Sequence, residues 1–143
     1  MDAVWAVILI VLSLLAWGGQ VIYAISPRLG AKLGVGEAKS DVHPVFFIDA
    51  RGEAIWDSMI LWSLLVAGIL LLFSHPLWPY FGLVGGSCYL YFAGRNLITR
   101  RMLQRHDISI GSLKSIKIAY VFVSIWGIVG LVTIFMAAST LKT

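Results

Sequence analysis

The sequence contains four continuous apolar stretches that are each long enough to cross a membrane as a helix. A transmembrane helix needs about 20 mainly apolar residues, whereas a strand of a membrane barrel alternates apolar and polar residues over about 10 positions. The continuous stretches therefore predict an all-α, polytopic fold: one domain, 1–143, folded as an antiparallel bundle of four transmembrane helices. The predicted spans are 3–25, 54–73, 77–94 and 118–138, and the longer loops are 26–53 and 95–117.

The composition supports lipid as the solvent for most of this chain. Asp, Glu, Lys and Arg make up 13% of the residues, compared with about 25% in an average soluble domain. A small domain leaves much of its surface exposed, so a mean hydropathy of +0.90 excludes a soluble enzyme and a disordered chain. The single cysteine, Cys88, excludes an intramolecular disulfide scaffold and a thiolate metal cage.

The positive charges predict the orientation in the membrane. All Lys and Arg residues except Lys142 fall in the two longer loops, while the short connection 74–76 contains none. Cytoplasmic loops carry an excess of Lys and Arg, so we expect both loops in the cytoplasm and both termini outside. This pattern indicates a multi-pass protein of the cell membrane with an anionic-lipid contact, and it does not indicate nucleic-acid binding.

Small residues recur on the third and fourth spans at spacings that allow two helices to approach closely. Gly82 and Gly86 have the GxxxG spacing, and Gly127 and Gly130 lie three apart on the fourth span. Close packing through small residues supplies much of the attraction between helices in lipid. These faces are suited to contacts within the chain's own bundle or to an oligomer.

Acidic residues cluster where the second span begins. Asp49, Glu53 and Asp57 follow one another at intervals of four, which places them along one side of a helix. The third span ends in Arg95 and Asn96. Ionisable groups near the hydrocarbon core usually face a partner or a wet cavity, so we expect acids and bases to meet between these two spans.

A count of residues from the short outer turn predicts which acid meets which base. With Pro76 as the turning point, Asp57 and Arg95 are equally distant from it, and Glu53 comes level with Arg100. Two antiparallel helices rise by the same amount per residue. The count therefore predicts the pairs Asp57–Arg95 and Glu53–Arg100.

These pairs have two compatible interpretations. The first is a structural clamp between the second and third spans, in which an arginine makes a two-pronged contact with a carboxylate. The second is a polar pocket that opens to the cytoplasm. The predicted pocket wall consists of Glu53, Asp57, Arg95, Asn96, Gln20 and Tyr23.

No catalytic or metal-ligating residue is predicted, because the chain lacks the HxxxH and ExxH spacings of helical metal sites. The sequence indicates no particular cofactor. The candidate binding residues are Arg51, Glu53, Asp57, Arg95, Asn96 and Arg100.

The chain resembles the MAPEG family of small four-helix membrane enzymes. The likeness lies in Pro44-x-x-Phe47 followed by Arg51 at the start of the second span, and in the motif Tyr91-Phe92-Ala93-Gly94-Arg95 late in the third span. Ile55 and Ser58 stand where the family has an asparagine and a glutamate. The resemblance implies a trimer that binds glutathione on the cytoplasmic side, with Arg51 and Arg95 as contacts for an anionic co-substrate.

Three functions are consistent with these patterns. The leading hypothesis is a small non-enzymatic integral membrane protein that assembles with itself, or as an accessory subunit of a larger membrane complex, through its glycine-rich faces. The second is a MAPEG-like enzyme that binds an anionic co-substrate such as glutathione. The third is a small oligomeric transporter that uses Asp57 as its coupling site. The expected partners are the lipid bilayer, other membrane subunits, and an anionic lipid or small molecule at the cytoplasmic face.

Overall fold

The computed structural model describes residues 2–142, and this part of the chain is all-α, without strands. The predicted fold class is confirmed at this level. Helix α2 is a short turn after α1, and α3 and α4 follow each other almost without a break. The helices are α1 Asp2–Ile25, α2 Pro27–Lys32, α3 Pro44–Ile60, α4 Trp62–Leu72, α5 Trp78–Arg105 and α6 Leu113–Thr140.

Three helical segments within residues 2–142 are long and apolar enough to cross a membrane: Asp2–Ile25, Pro44–Leu72 and Leu113–Thr140. The second segment joins α3 and α4 through Leu61, which keeps helical backbone angles. The predicted span 77–94 is helical as part of α5, but α5 is not one of these three segments. The chain is thus a multi-pass membrane protein with three membrane-capable helices.

The helix starts follow the prolines. Ser26 caps α2, its Oγ accepting a hydrogen bond from the Leu29 N–H at 3.3 Å. The second spanning segment begins at Pro44, earlier than the predicted span 54–73, and Asp41 is not its N-cap. His43 caps α3 instead, because it directly precedes the first helical residue, Pro44. Its Nδ1 accepts a hydrogen bond from the Val45 N–H at 3.2 Å.

The two basic loops are shorter than predicted. Helix α5 continues to Arg105 and α6 begins at Leu113, so most of the predicted loop 95–117 is helical. In the same way, α2 and the first turns of α3 occupy much of the predicted loop 26–53. The reason is that the apolar pattern ends at the membrane boundary, whereas residues such as Arg, Leu, Met and Gln favour helix in water as well.

Helix α5 lies between α4 and α6 and packs closely against both. A β-carbon added at Gly86 would lie 2.8 Å from the Gly130 carbonyl oxygen, and one added at Gly127 would lie 2.9 Å from the Ala93 Cβ. The glycine-rich faces of the predicted third and fourth spans are therefore used for packing within the chain. Their use as an interface between copies, which the leading hypothesis assumed, is wrong for these faces.

One end of the bundle is covered by two connecting segments, 33–43 and 106–112, which we call the loop cap. The His43 backbone N–H donates to the Ser109 carbonyl at 2.9 Å and so joins the two segments. A small apolar core lies beneath them, formed by the buried side chains of Val42, Phe46 and Ile110. The cap is thus a packed structure, and it positions the polar groups below it.

Candidate functional site

Arg95 forms two salt bridges between α5 and α3. Its guanidinium nitrogens lie 2.6 Å from Asp49 Oδ1 and 2.8 Å from Glu53 Oε1. The predicted clamp between the two helices exists, but the predicted pair Asp57–Arg95 is wrong. The acids that bind Arg95 come one and two helical turns earlier in α3.

The position of the turn between α4 and α5 explains why Arg95 meets Glu53 and not Asp57. Gly85 lies against Leu64, since a β-carbon at Gly85 would be 2.6 Å from the Leu64 Cα. This contact places the midpoint between Ser74 and His75, not at Pro76. Arg95 therefore comes level with a residue next to Glu53, and Asp57 lies deeper in the bundle.

Asn96 links the remaining polar groups into a chain. Its Nδ2 donates to Glu53 Oε1 at 2.6 Å, and its Oδ1 accepts from Arg100 Nε at 3.2 Å. The predicted direct pair Glu53–Arg100 is therefore wrong, because the amide stands between the two groups. Asn96 is 5% exposed, and a buried amide with both ends bonded holds its neighbours in fixed positions.

Arg100 keeps part of its guanidinium free for another group. Its Cζ lies 5.1 Å from the centre of the Phe46 ring, at cation–π distance. Within residues 2–142, it forms no salt bridge. Burial lowers the pKa of Arg100, while Glu53 and Glu37 act in the opposite direction. Arginine nevertheless stays charged, so this partly desolvated cation favours an anionic partner.

Asp57 and Arg51 do not join this chain of polar groups. Asp57 is 2% exposed, and its Oδ2 has no hydrogen-bond partner in the described part of the chain. The Arg51 guanidinium donates instead to the Ala24 carbonyl at 3.1 Å, which ties α3 to the last turn of α1. Of the six predicted site residues, Glu53, Arg95, Asn96 and Arg100 come together.

A cavity of about 570 Å³ lies beside these groups. We call it the Arg100 cavity. Its walls come from α1, α3, α5 and α6, and the loop cap adds part of its cover. Of the predicted pocket residues, Gln20, Tyr23, Glu53 and Asn96 line this cavity, whereas Asp57 and Arg95 are not among the residues that line it. The polar lining residues are Gln20, Tyr23, Glu37, Glu53, Asn96, Arg100, Ser112, Lys114 and Ser115.

The rest of the cavity wall is apolar and comes mainly from α1 and α6. Leu15, Phe92, Ile118, Phe122 and Trp126 are its large members. The polar side chains gather at the end near the loop cap, and the apolar side chains continue along the helices away from it. The cavity is therefore amphipathic, with a charged end and an apolar slot.

Tyr23 holds the loop cap over the charged end. Its hydroxyl donates to the Glu37 carbonyl at 2.9 Å, and Gly36 packs directly against its ring. No side chain other than hydrogen fits there, which is why a glycine stands at position 36. The sequence analysis did not predict Glu37 and Lys114 as cavity residues. Their positions depend on the path of the loop cap, which no periodic pattern in the sequence encodes.

Within residues 2–142, no group of three His, Cys, Asp or Glu side chains is placed to hold a metal ion. No family model matches the chain, and neither the curated proteins nor the solved structures include a match. The functional argument therefore depends on the geometry of the cavity and of the polar groups beside it.

Proposed function

We propose that this chain is a small non-enzymatic membrane protein that binds a ligand in the Arg100 cavity. In this proposal α5 is a fourth span, the termini lie outside, and the loop cap faces the cytoplasm of a cell membrane. The observation that carries the proposal is the Arg100 guanidinium inside an amphipathic cavity, with no salt bridge to any carboxylate of residues 2–142. The positive-inside distribution of charge supports the orientation.

The neighbouring arginine offers a contrast that strengthens this argument. Arg95 is neutralised by Asp49 and Glu53, and Asn96 separates that ion cluster from Arg100. The hydrogen bonds from Glu53 through Asn96 therefore leave the Arg100 guanidinium facing the cavity in a fixed orientation. A positioned guanidinium of this kind binds carboxylate or phosphate groups in two-pronged geometry.

Native mass spectrometry of protein purified in mild detergent tests the proposal. We expect the wild-type protein to retain a small molecule, or to take one up from a total lipid extract or from glutathione. Arg100→Gln should lose it, because glutamine keeps a hydrogen bond but not the charge. Arg101→Gln is the matched control, since Arg101 is exposed on the same helix and does not line the cavity. Equal occupancy in the two variants contradicts the proposal.

We also propose that the protein works as a homo-oligomer or as an accessory subunit of a larger membrane complex. Because the glycine faces are used within the chain, assembly would use another outward apolar face, such as that of α6, where Val121, Ile128 and Phe135 are 59%, 62% and 65% exposed. The native mass in mild detergent is the test. We expect a mass above that of one chain, and a lone monomer contradicts assembly.

A transporter that uses Asp57 is the second candidate function. Asp57 is 2% exposed, and within residues 2–142 its Oδ2 has no hydrogen-bond partner. Such a carboxylate is costly in a membrane helix unless it binds a proton or a cation. In liposomes, this function predicts a pH-dependent flux that Asp57→Asn abolishes. Flux that is unchanged in the variant removes Asp57 from the transport path.

A MAPEG-like enzyme remains a third proposal. The two arginines that it would use, Arg51 and Arg95, already have partners in the structure. Arg95 is bound by two carboxylates and Arg51 by a backbone carbonyl, so a glutathione carboxylate would have to bind Arg100 or displace one of these contacts. Isothermal titration with glutathione tests this reading. Absence of binding by well-folded protein contradicts it.

A further inference from the structure

We infer that the ligand of the Arg100 cavity is a membrane amphiphile, with a phosphate head group and a single hydrocarbon chain, that enters from the bilayer between α1 and α6. This inference depends on the proposed binding function and names the chemical class of its ligand. It rests on three features of the cavity: its apolar wall, the weak junction between α1 and α6, and the donors at its charged end.

The apolar wall is accessible where the cavity lies between α1 and α6. Leu15 on α1 is 57% exposed, and Ile118 and Phe122 on α6 are 46% and 44% exposed, although all three line the cavity. Such side chains are stable beside lipid and unfavourable beside water. This side of the cavity is therefore matched to a hydrocarbon chain.

The two helices that flank this side are held by other partners. Helix α1 packs on α3 and α4, and α6 packs on α5. A hydrogen bond joins α1 and α6 directly, from Trp126 Nε1 to the Leu12 carbonyl at 3.1 Å. The slot on the loop-cap side of this bond can widen without breaking the glycine contacts of α5 and α6.

The charged end offers several donors to one anion. Arg100 lies inside and Lys114 is exposed at the rim. The hydroxyls of Ser112 and Ser115 also line this end, and because they are hydrogen-bonded to each other at 2.7 Å, one O–H of the pair is left to donate. Glu37 also lines this end, and Asp49 and Glu53 beside it exceed Arg95 by one charge, so these three cations and three anions balance. The attraction for an anion therefore depends on the positioned donors and not on an excess of positive charge. A phosphate has enough acceptor oxygens to bind a guanidinium and hydroxyls together.

The location of these donors distinguishes a lipid from a soluble anion. Charged groups at the end of the spanning helices lie at the level of lipid head groups, and the apolar slot begins directly behind them. A head group bound at Arg100 therefore leaves its chain in the slot. A hydrocarbon chain is already out of water in the bilayer, so selectivity for the ligand comes from the head group.

Dodecyl phosphate is the probe for this inference, added to the purified full-length chain in detergent micelles and followed by native mass spectrometry. Wild type and Arg101→Gln should bind it with equal affinity. In Arg100→Gln the affinity should fall about tenfold or more, the loss expected for a hydrogen bond to a charged group. Inorganic phosphate should not compete, because without a chain it does not concentrate in the micelle beside the cavity.

A second pair of variants tests the position of the chain. Ala119 lines the cavity, so Ala119→Trp should fill the slot and abolish binding of dodecyl phosphate. Ile98→Trp is the control, since Ile98 is 67% exposed on α5 and does not line the cavity. Circular dichroism and thermal unfolding show whether each variant is folded.

The outcomes separate this inference from the proposed function. If inorganic phosphate or glutathione competes fully, or if Ala119→Trp binds dodecyl phosphate like wild type, the lipid assignment is overturned and a soluble ligand remains. If the affinity for dodecyl phosphate is equal in wild type and Arg100→Gln, the inference is also overturned. If the folded protein binds neither probe nor any component of a lipid extract, the proposed function fails as well.

Discussion

Asn96 determines how the acidic and basic side chains of α3 and α5 are shared. It lies between Glu53 and Arg100 and forms a hydrogen bond with each. Glu53 is therefore bound to Arg95, and within residues 2–142 no carboxylate forms a salt bridge with Arg100. An aspartate at this position would bind Arg100 directly and neutralise it. A single amide therefore separates a structural ion cluster from a binding group.

Removal of the Arg95 charge should destabilise the fold. Arg95→Gln leaves Glu53 with an 11% exposed side chain and without its cation, and we expect the free energy of unfolding to fall by about 2 kcal/mol, the loss typical of a hydrogen bond to a charged group. Chemical denaturation in micelles measures this loss. The neighbouring surface change Arg101→Gln should stay near wild type, and an equal loss in both would contradict the clamp.

The residue scale also shows the limit of prediction from the sequence. The spacing of Asp49, Glu53 and Asp57 correctly predicted acids on the side of α3 that meets α5. It did not predict which of them binds Arg95, because a shift of the turn by less than two residues changes the partner. The roles of Asn96 and of Glu37 depend on contacts that only the folded chain brings together.

At the scale of helices, the glycines that the sequence analysis named as packing residues lie in the contact between α5 and α6. Gly86 lies against the Gly130 carbonyl, and the predicted interhelical role of these faces is correct within one chain. The helix starts after Ser26 and at Pro44 were also predictable, since proline restricts the backbone locally. The extension of α5 to Arg105 was not predicted, because the apolar pattern that defined the span ends near Gly94, while the helix continues through polar residues that also favour helix.

Enlargement of Gly85 should separate α4 from α5. A β-carbon there would lie 2.6 Å from the backbone of Leu64, and backbone cannot move aside as a side chain does, so Gly85→Ala should lower the free energy of unfolding by about 1 to 3 kcal/mol. Gly94→Ala is the control on the same helix, since nothing lies within 4 Å of its added β-carbon. Thermal unfolding should show a loss in the first variant and no loss in the second.

At the scale of the whole molecule, the number of crossings follows from whether α5 spans the membrane. Four crossings place residues 75 and 142 on one side and residues 40 and 109 on the other. If α5 lay on the surface, residues 75 and 109 would share a side. The two arrangements thus differ at positions that a labelling reagent can reach.

Labelling with a membrane-impermeant maleimide tests the topology. In a chain with Cys88→Ala, we expect His75→Cys and Lys142→Cys to react in intact cells, and Ser40→Cys and Ser109→Cys to react only after the membrane is opened. All four positions are exposed. Labelling of His75→Cys and Ser109→Cys from the same side would rule out the four-span proposal.

The cavity has a further consequence for how the protein is made. Its walls come partly from α6, whereas the Arg95 ion cluster and the contacts of α4 with α1 and α5 form without that helix. A nascent chain can therefore acquire much of its core before the cavity exists. Occupancy of the cavity then reports that α6 has been made and inserted, so the ligand would distinguish chains that contain α6 from chains cut short before it.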